Sequence, residues 1–253
     1  MWNLQNKKAL ITGGSKGIGK SCVEEFASLG AEIIFTGRNK SDLDATEREF
    51  LEKGYKVKGV VSDVTSETDR TKLWALVREE FGVLDILVNN AGMNIRKAAV
   101  SYTEEEYRDV VEVNLMAPFM LCRMFFTLLK KSGKASVINV SSVAATLDDH
   151  TGAPYGMAKS GLLQMTRSLA VEWASYGIRV NAVSPWFTLT PLTRGLLKQP
   201  EKIGPVLQRT PMRRIAEPEE VAAAIAFLAM DKASYITGQN IITDGGMSIN
   251  ALM

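Results

Sequence analysis

Three side chains stand at a spacing that could move a proton. Ser142, Tyr155 and Lys159 form the pattern S-x12-Y-x3-K. Tyr155 and Lys159 are four residues apart, so on a helix they share one face. An ammonium beside a phenol favours the phenolate and is expected to pull the tyrosine below its ordinary pKa of about 10. Tyr155 would then give or take a proton near neutral pH. Ser142 follows an apolar run, Ser136 to Val140, that reads as a strand. Active-site groups of open α/β sheets gather at such strand ends. A tyrosine–lysine pair at this spacing is also an ordinary solvated helix face, so its weight comes from what accompanies it.

A glycine-rich turn accompanies it. The first strand-like run ends in Thr12-Gly13-Gly14-Ser15-Lys16-Gly17-Ile18-Gly19, and a helical pattern follows at once. Glycines let a backbone turn tightly and approach a pyrophosphate, and the helix N-terminus then offers free N–H groups to the phosphates. The spacing Gly-x3-Gly-x-Gly departs from the usual G-x-G-x-x-G, and a glycine-rich turn with no ligand is the plain alternative. Where NAD is bound, an acid usually closes the second strand. Here that stretch reads Phe35-Thr36-Gly37-Arg38-Asn39-Lys40, with no acid before Asp42. Arg38 and Lys16 could pair with a 2′-phosphate, and two cations without a carboxylate point to NADP(H). Either cation alone would pass for a solvated surface side chain.

The elements that must hold these groups alternate. Strand-like runs lie at Ala9–Ile11, Ala31–Thr36, Val57–Val61, Ile86–Asn89, Ser136–Val140, Ile178–Val183 and Asn240–Thr243. Helical patterns fall between them, at Ile18–Leu29, Ser41–Lys53, Ser66–Glu80, Thr103–Lys130, Pro154–Tyr176 and Pro218–Met230. This alternation predicts an α/β fold of the Rossmann type: a doubly wound, mainly parallel, seven-stranded sheet with helices on both faces. No repeat or linker divides residues 1–253, so one domain is expected. Pro185 to Arg214 holds five prolines and little periodicity, which reads as an irregular loop or lid. Leu192, Leu196, Leu197 and Ile203 could form its apolar underside. Val110 to Leu129 and Leu162 to Trp173 are apolar on nearly every face, which places them either at the centre of one large core or, the favoured reading, against other subunits.

Composition excludes more. Apolar residues make up 46%, the net charge is +2 and there is one histidine, His150, so neither a basic nucleic-acid face nor a multi-histidine metal site is expected. The two cysteines, Cys22 and Cys122, are far apart and suit a reducing, cytoplasmic setting. The N-terminus lacks a signal peptide's regions. The longest apolar run, Val221 to Met230, is too short to span a bilayer, so no membrane partner is expected.

Taken together, the ordered motifs resemble the classical short-chain dehydrogenase/reductases from Lys8 to about Met247, and the tropinone-reductase-like branch in particular. The resemblance implies that Asn114 completes a tetrad with Ser142, Tyr155 and Lys159, placing a water near Lys159. It implies that Tyr155 exchanges a proton with the substrate oxygen, that Tyr155 and Lys159 also bind the cofactor, Lys159 at the nicotinamide ribose, and that Ser142 hydrogen-bonds the substrate. Gly13, Ser15, Lys16, Gly17, Ile18 and Gly19 would bind the cofactor with Arg38, with Asp63 and Val64 at the adenine edge, and with Asn90 of the Asn89-Asn90-Ala91-Gly92 segment. Pro185, Thr188 and Thr190 would hold the carboxamide. The family usually has Pro-Gly where this chain has Pro185-Trp186, as some tropinone-reductase-like members do. Trp186, with Phe187, would either wall the substrate pocket or point into the core. His150, beside Asp148 and Asp149, is placed with Ser142, Trp186 and Phe187 as a pocket residue; a solvated loop is the plainer reading.

The expected activity is hydride transfer between NADP(H) and a ketone or secondary alcohol, by a homotetramer without metal. A 3-oxoacyl-carrier-protein reductase and an NAD-linked alcohol dehydrogenase stay open. The former relatives carry an arginine where Tyr176 stands here. A non-catalytic dinucleotide-binding sensor would require a broken tetrad.

Overall fold

The computed structural model describes residues 2–197 and 199–250; the side chains at 196, 197, 200 and 202 are not described. The chain opens with β1 (Lys8–Ile11), α1 (Gly17–Ser28), β2 (Glu32–Gly37), α2 (Lys40–Glu52), β3 (Val57–Val61), α3 (Glu67–Phe81) and β4 (Ile86–Asn89). It continues through α4 (Glu104–Val111), a π-helical turn at Glu112–Met116, α5 (Ala117–Ser132), β5 (Ser136–Val140), α6 (Ala153–Trp173) and β6 (Arg179–Pro185). It closes with α7 (Pro191–Leu197), α8 (Pro200–Arg209), α9 (Pro218–Ala229) and β7 (Asn240–Thr243).

The strands form one seven-stranded sheet in the order β3-β2-β1-β4-β5-β6-β7, and every pairing is parallel. Alternate strand residues enter opposite cores, as the two-residue period demands. Ala9, Ile11, Ile33 and Phe35 face α1, α2 and α9, against Phe26, Phe50 and Ile225. Leu10, Ile34, Leu87 and Val137 face α3, α5 and α6, against Leu73, Phe125 and Leu169. A fully buried phenylalanine contributes roughly 1.5–3 kcal/mol, so these two layers fix the strand ends that carry the chemistry. The strand order reverses between β1 and β4, where open sheets form their ligand crevice.

Helix ends follow local rules. Asn39 and Ser66 accept from Asp42 N–H and Asp69 N–H at the starts of α2 and α3. Thr103 and Glu106 form a reciprocal capping box on α4. Pro218 opens α9 behind Glu217 and Glu220, which form another. α1 differs: Lys16 at its cap position gives no side-chain hydrogen bond, and its first turn holds no acid.

Two expectations need correction. The stretch Thr103–Lys130 is not one regular helix. Ala117 N–H bonds the carbonyl of Glu112, five residues back, which makes the π turn around Asn114. Pro118 was the available signal, since it has no N–H for the carbonyl of Asn114 four residues earlier. The segment 185–214 is not irregular either, for it holds α7 and α8. Proline at N1 is compatible with both helices. Before them, Trp186 N–H bonds the carbonyl of Thr243 at 3.1 Å, and Leu189 N–H bonds Ala216 at 2.9 Å.

Glu104–Ser132 is long and apolar enough to cross a membrane by length and composition, although no single apolar run suggests it. In this fold Leu121, Phe125, Leu128 and Leu129 of that stretch are core residues.

Candidate active site

At the C-terminal ends of β1, β2, β4, β5 and β6 lies a cleft of about 440 Å³, within the range of small-molecule sites. Every residue assigned above to the cofactor lines it, as do Ser142, Trp186 and Phe187.

The glycine turn forms one end. Gly13 and Gly17 have φ of +67° and +56°, where a side chain would be strained. A Cβ on Gly19 would lie 2.1 Å from the carbonyl oxygen of Gly13. Asn90 ties this turn to β4, its amide donating to the carbonyls of Thr12 and Gly13 at 2.9 and 3.1 Å. The uncapped start of α1 leaves N–H groups facing this end. Bare backbone, free N–H donors and nearby cations fit a dinucleotide phosphate. Arg38 and Lys16 line the same end. Arg38 makes no ion pair among the described residues, whereas Lys16 pairs with Asp42 at 2.6 Å. Asp63 accepts from Thr65 N–H and its hydroxyl at 2.9 and 2.8 Å, and Arg70 holds the carbonyl of Val64 at 2.7 Å.

The tetrad sits at the centre. Ser142 and Tyr155 both line the cleft. Lys159 lies one turn below Tyr155 and donates to the carbonyl of Val140, at the end of β5, at 2.9 Å. Its Nζ lies 5.6 Å from the Tyr155 ring centre. Asn114 is fully buried and does not line the cleft. Its amide donates to the carbonyls of Met93 and Val110 at 2.7 and 2.8 Å, which ties the π turn to the loop after β4. Its Oδ1 has no partner among the described residues. A Cβ on Gly92 would lie 2.9 Å from that oxygen and 3.8 Å from Lys159 Nζ. Asn114 therefore backs the site from behind Gly92.

The electrostatics correct one expectation. Tyr155 is not drawn down by Lys159. Desolvation pushes its phenol up to about 12, while the Ser142 hydrogen bond pulls the other way, Asp149 adds to the rise and Arg96 opposes it. Burial brings Lys159 down to about 8. Both groups are desolvated more strongly than they are coupled.

The substrate side corrects another. His150 does not line the cleft. Its side chain is 94% exposed and pairs with Asp148 at 3.6 Å, and its backbone sits at φ +57°. That turn aims the imidazole outward, and Asp149 and Thr151 face the cleft instead. Trp186 meets both of its readings in part. It lines the cleft, stacks edge-on to Phe187 at 4.6 Å, and donates its indole N–H to Thr210 at 3.0 Å, just past α8. Of the anticipated lid residues, Leu192 lines the cleft and Ile203 does not; the side chains of Leu196 and Leu197 lie outside the described ones. Met93, Asn94 and Arg96 also line it. No motif marked them, because they follow the glycine segment in a loop whose course depends on tertiary contacts.

A parallel seven-stranded sheet with this crevice and this tetrad defines a dinucleotide-dependent oxidoreductase fold. Residues 13–248 match the family model described as enoyl-(acyl carrier protein) reductase. A tropinone reductase homolog from Arabidopsis thaliana is 43% identical over 250 residues, covering 98% of this chain and 95% of that protein. A tropinone reductase homolog from Datura stramonium is 41% identical over 256 residues, covering 100% and 96%. Among solved structures, a gluconate 5-dehydrogenase from Burkholderia cenocepacia in complex with NADP and tartrate superposes with a TM-score of 0.94 at 29% identity, covering 99% and 98%. The chain belongs to the short-chain dehydrogenase/reductase family. It is an oxidoreductase of that family, which binds a nicotinamide dinucleotide.

Proposed function

We propose that the protein is an NADP(H)-dependent carbonyl reductase working through Asn114, Ser142, Tyr155 and Lys159. The observation that carries this reading is that Ser142, Tyr155 and Lys159 line one cleft whose far end holds Arg38 and Lys16 and no acid at the tip of β2. Bound there, NADPH would supply a hydride, so that the carbonyl carbon gains two electrons, the C=O π bond becomes an oxygen lone pair, and NADPH leaves as NADP⁺. Tyr155 donates its hydroxyl proton to that oxygen. Ser142 hydrogen-bonds the same oxygen and holds the phenol in line. A phenol raised to about 12 keeps its proton at neutral pH, the state a donor needs. Lys159 stays anchored on β5 and keeps Tyr155 at a fixed height along α6. Asn114, behind Gly92, fixes the π turn and the wall beside Lys159.

The test is oxidation of NADPH and NADH, side by side, over a panel of cyclic, aromatic and acyl ketones. Turnover at least about tenfold faster with NADPH is expected, since one charge-assisted phosphate contact is worth roughly that factor. Ketones reduced equally well with NADH would remove the NADP assignment, and turnover on none of them would remove the reductase assignment.

The same reading includes a homotetramer. Phe119 on α5 and Val171 on α6 are 39% and 84% exposed, which supports burial of these helices against other subunits. A stable monomer in light scattering would reject it.

A further inference from the structure

Arg96 lines the cleft beside Tyr155, and none of the described residues holds it. It stands on a loop fastened across to the segment that follows Asp149. Asn94 donates to the carbonyl of Thr151 at 3.1 Å, and the Tyr102 hydroxyl donates to the carbonyl of Ile95. Gly152, at φ +101°, closes this junction: a Cβ there would lie 2.1 Å from the Tyr102 hydroxyl. The backbone on both sides of the junction is therefore fixed, and Arg96 is presented from a defined position.

Its neighbours show what its charge is free to do. Lys97, the adjacent cation, pairs with Glu106, the carboxylate that also caps α4 through Thr103 N–H at 3.0 Å. Arg96 makes no hydrogen bond or ion pair among the described residues. The acid on the same wall is committed. Asp149 accepts from Thr151 N–H at 3.2 Å and from the Thr151 hydroxyl at 2.5 Å, which sets the turn. Of the two opposite charges flanking Tyr155, the cation is uncommitted and the anion is engaged. A guanidinium presents a planar fork that matches a carboxylate bidentately.

We infer that Arg96 binds a carboxylate on the substrate, so that the cleft takes an oxo acid: a ketone with an anionic group beyond the carbonyl. The inference rests on the carbonyl-reductase reading above and names its substrate class. It also excludes cationic amino ketones as preferred substrates, because a protonated amine would meet Arg96 unshielded. The positive field of Arg96 at Tyr155 offsets the field of an incoming carboxylate, so the donor is not driven further from its working range.

The experiment uses levulinate, its uncharged methyl ester and an amino ketone of similar length, reduced with NADPH by the wild type, Arg96→Gln, Arg96→Lys and Asp149→Asn. The wild type is expected to show a lower KM for levulinate than for the ester. Arg96→Gln should raise the levulinate KM roughly 10- to 100-fold, as loss of a charge-assisted hydrogen bond does, and the ester KM by less than about threefold. Arg96→Lys should fall between, keeping the charge and losing the fork. Equal KM for acid and ester in the wild type would overturn the inference. So would an Arg96→Gln variant that slows both alike, which is the signature of an effect through Tyr155 or through folding. Preference for the amino ketone, abolished by Asp149→Asn, would transfer the role to Asp149. The carbonyl-reductase reading can fail separately, with no ketone turned over. Titration of succinate by calorimetry then still decides: roughly tenfold weaker binding to Arg96→Gln than to wild type upholds the anion site, and equal binding overturns it.

Discussion

The two ends of the cleft are built by different means. At the cofactor end, backbone does most of the work. Gly13, Gly17 and Gly19 bring the chain close, Asn90 stitches β1 to β4, and the start of α1 is left uncapped. At the substrate end, side chains on loops form the wall: Arg96, Asp149, Trp186 and Phe187. Contacts between segments far apart in sequence hold them, such as Asn94 to Thr151 and Trp186 to Thr210. A backbone-built site tolerates few residue types at each position. A loop-built site can change its chemistry by exchanging one side chain, while the sheet beneath stays as it is.

The group where the two ends meet should show the largest effect. Tyr155→Phe removes the donated proton and leaves the phosphate end untouched. Turnover should fall by roughly 10²- to 10⁴-fold, while NADPH affinity, read by fluorescence titration, changes by less than about twofold. A variant that reduces ketones at the wild-type rate would break the division between a binding end and a reacting centre.

Lys159 tests the same junction through stability. Its folded pKa lies near 8, below its ordinary value of 10.5, because burial penalises the ammonium. Between those two values the unfolded chain binds more protons than the folded one, so folding stability rises with pH there. The penalty is complete below pH 8 and gone above about 10.5. Its size is about 3 kcal/mol. Tyr155 acts oppositely, with a folded pKa near 12 against 10 unfolded. It draws stability down as pH climbs from 10 to 12. The clean window is therefore pH 8 to 10. Chemical denaturation of the wild type and Lys159→Met across that window should show their difference narrowing as pH rises. A difference that stays flat would mean that Lys159 keeps solvent access.

This division also sorts what could be read from the sequence. The sheet, its order of elements and the cofactor end were legible because each rests on a local constraint. A parallel strand buried on both faces is apolar throughout, as Leu10, Ile34 and Leu87 show, and a positive φ at a tight turn calls for glycine. Tyr155 and Lys159 were legible because four residues on α6 place them on one face. Their pKa values were not, because spacing conveys proximity and not desolvation. The π turn escaped because hydrophobic periodicity does not register one extra residue per turn; only Pro118 hinted at it. For His150 the plainer reading of a solvated loop holds over the pocket placement, and Arg96 carried no sequence signal at all. Whether a loop side chain faces in or out is decided by Gly152, Tyr102 and Thr151, at positions that no local pattern connects.

At the cofactor end, the comparison sharpens on single charges. Arg38→Ala should weaken NADPH binding roughly tenfold, the loss of one charge-assisted contact with a phosphate, and NADH binding far less. The ratio of the two dissociation constants, measured by calorimetry, is the diagnostic quantity. Equal losses for both cofactors would mean that Arg38 acts on something the two share.

The smallest effect belongs to Asp42, and its sign is the informative part. Its carboxylate holds Lys16 at 2.6 Å, with both side chains partly open to solvent. A 2′-phosphate arriving beside Arg38 would compete with Asp42 for that ammonium and would meet the carboxylate's own negative charge. Asp42→Asn removes both obstacles. The Asn39 cap on residue 42 is made by a backbone N–H, so the substitution leaves the start of α2 closed. NADPH should then bind more tightly, by up to about fivefold, the ceiling set by an exposed ion pair. The gain should shrink as salt rises, because such pairs are screened. If Asp42 instead helps the site by orienting Lys16, the same variant binds NADPH more weakly. The direction of that small change thus separates a cation held in reserve from one already in place.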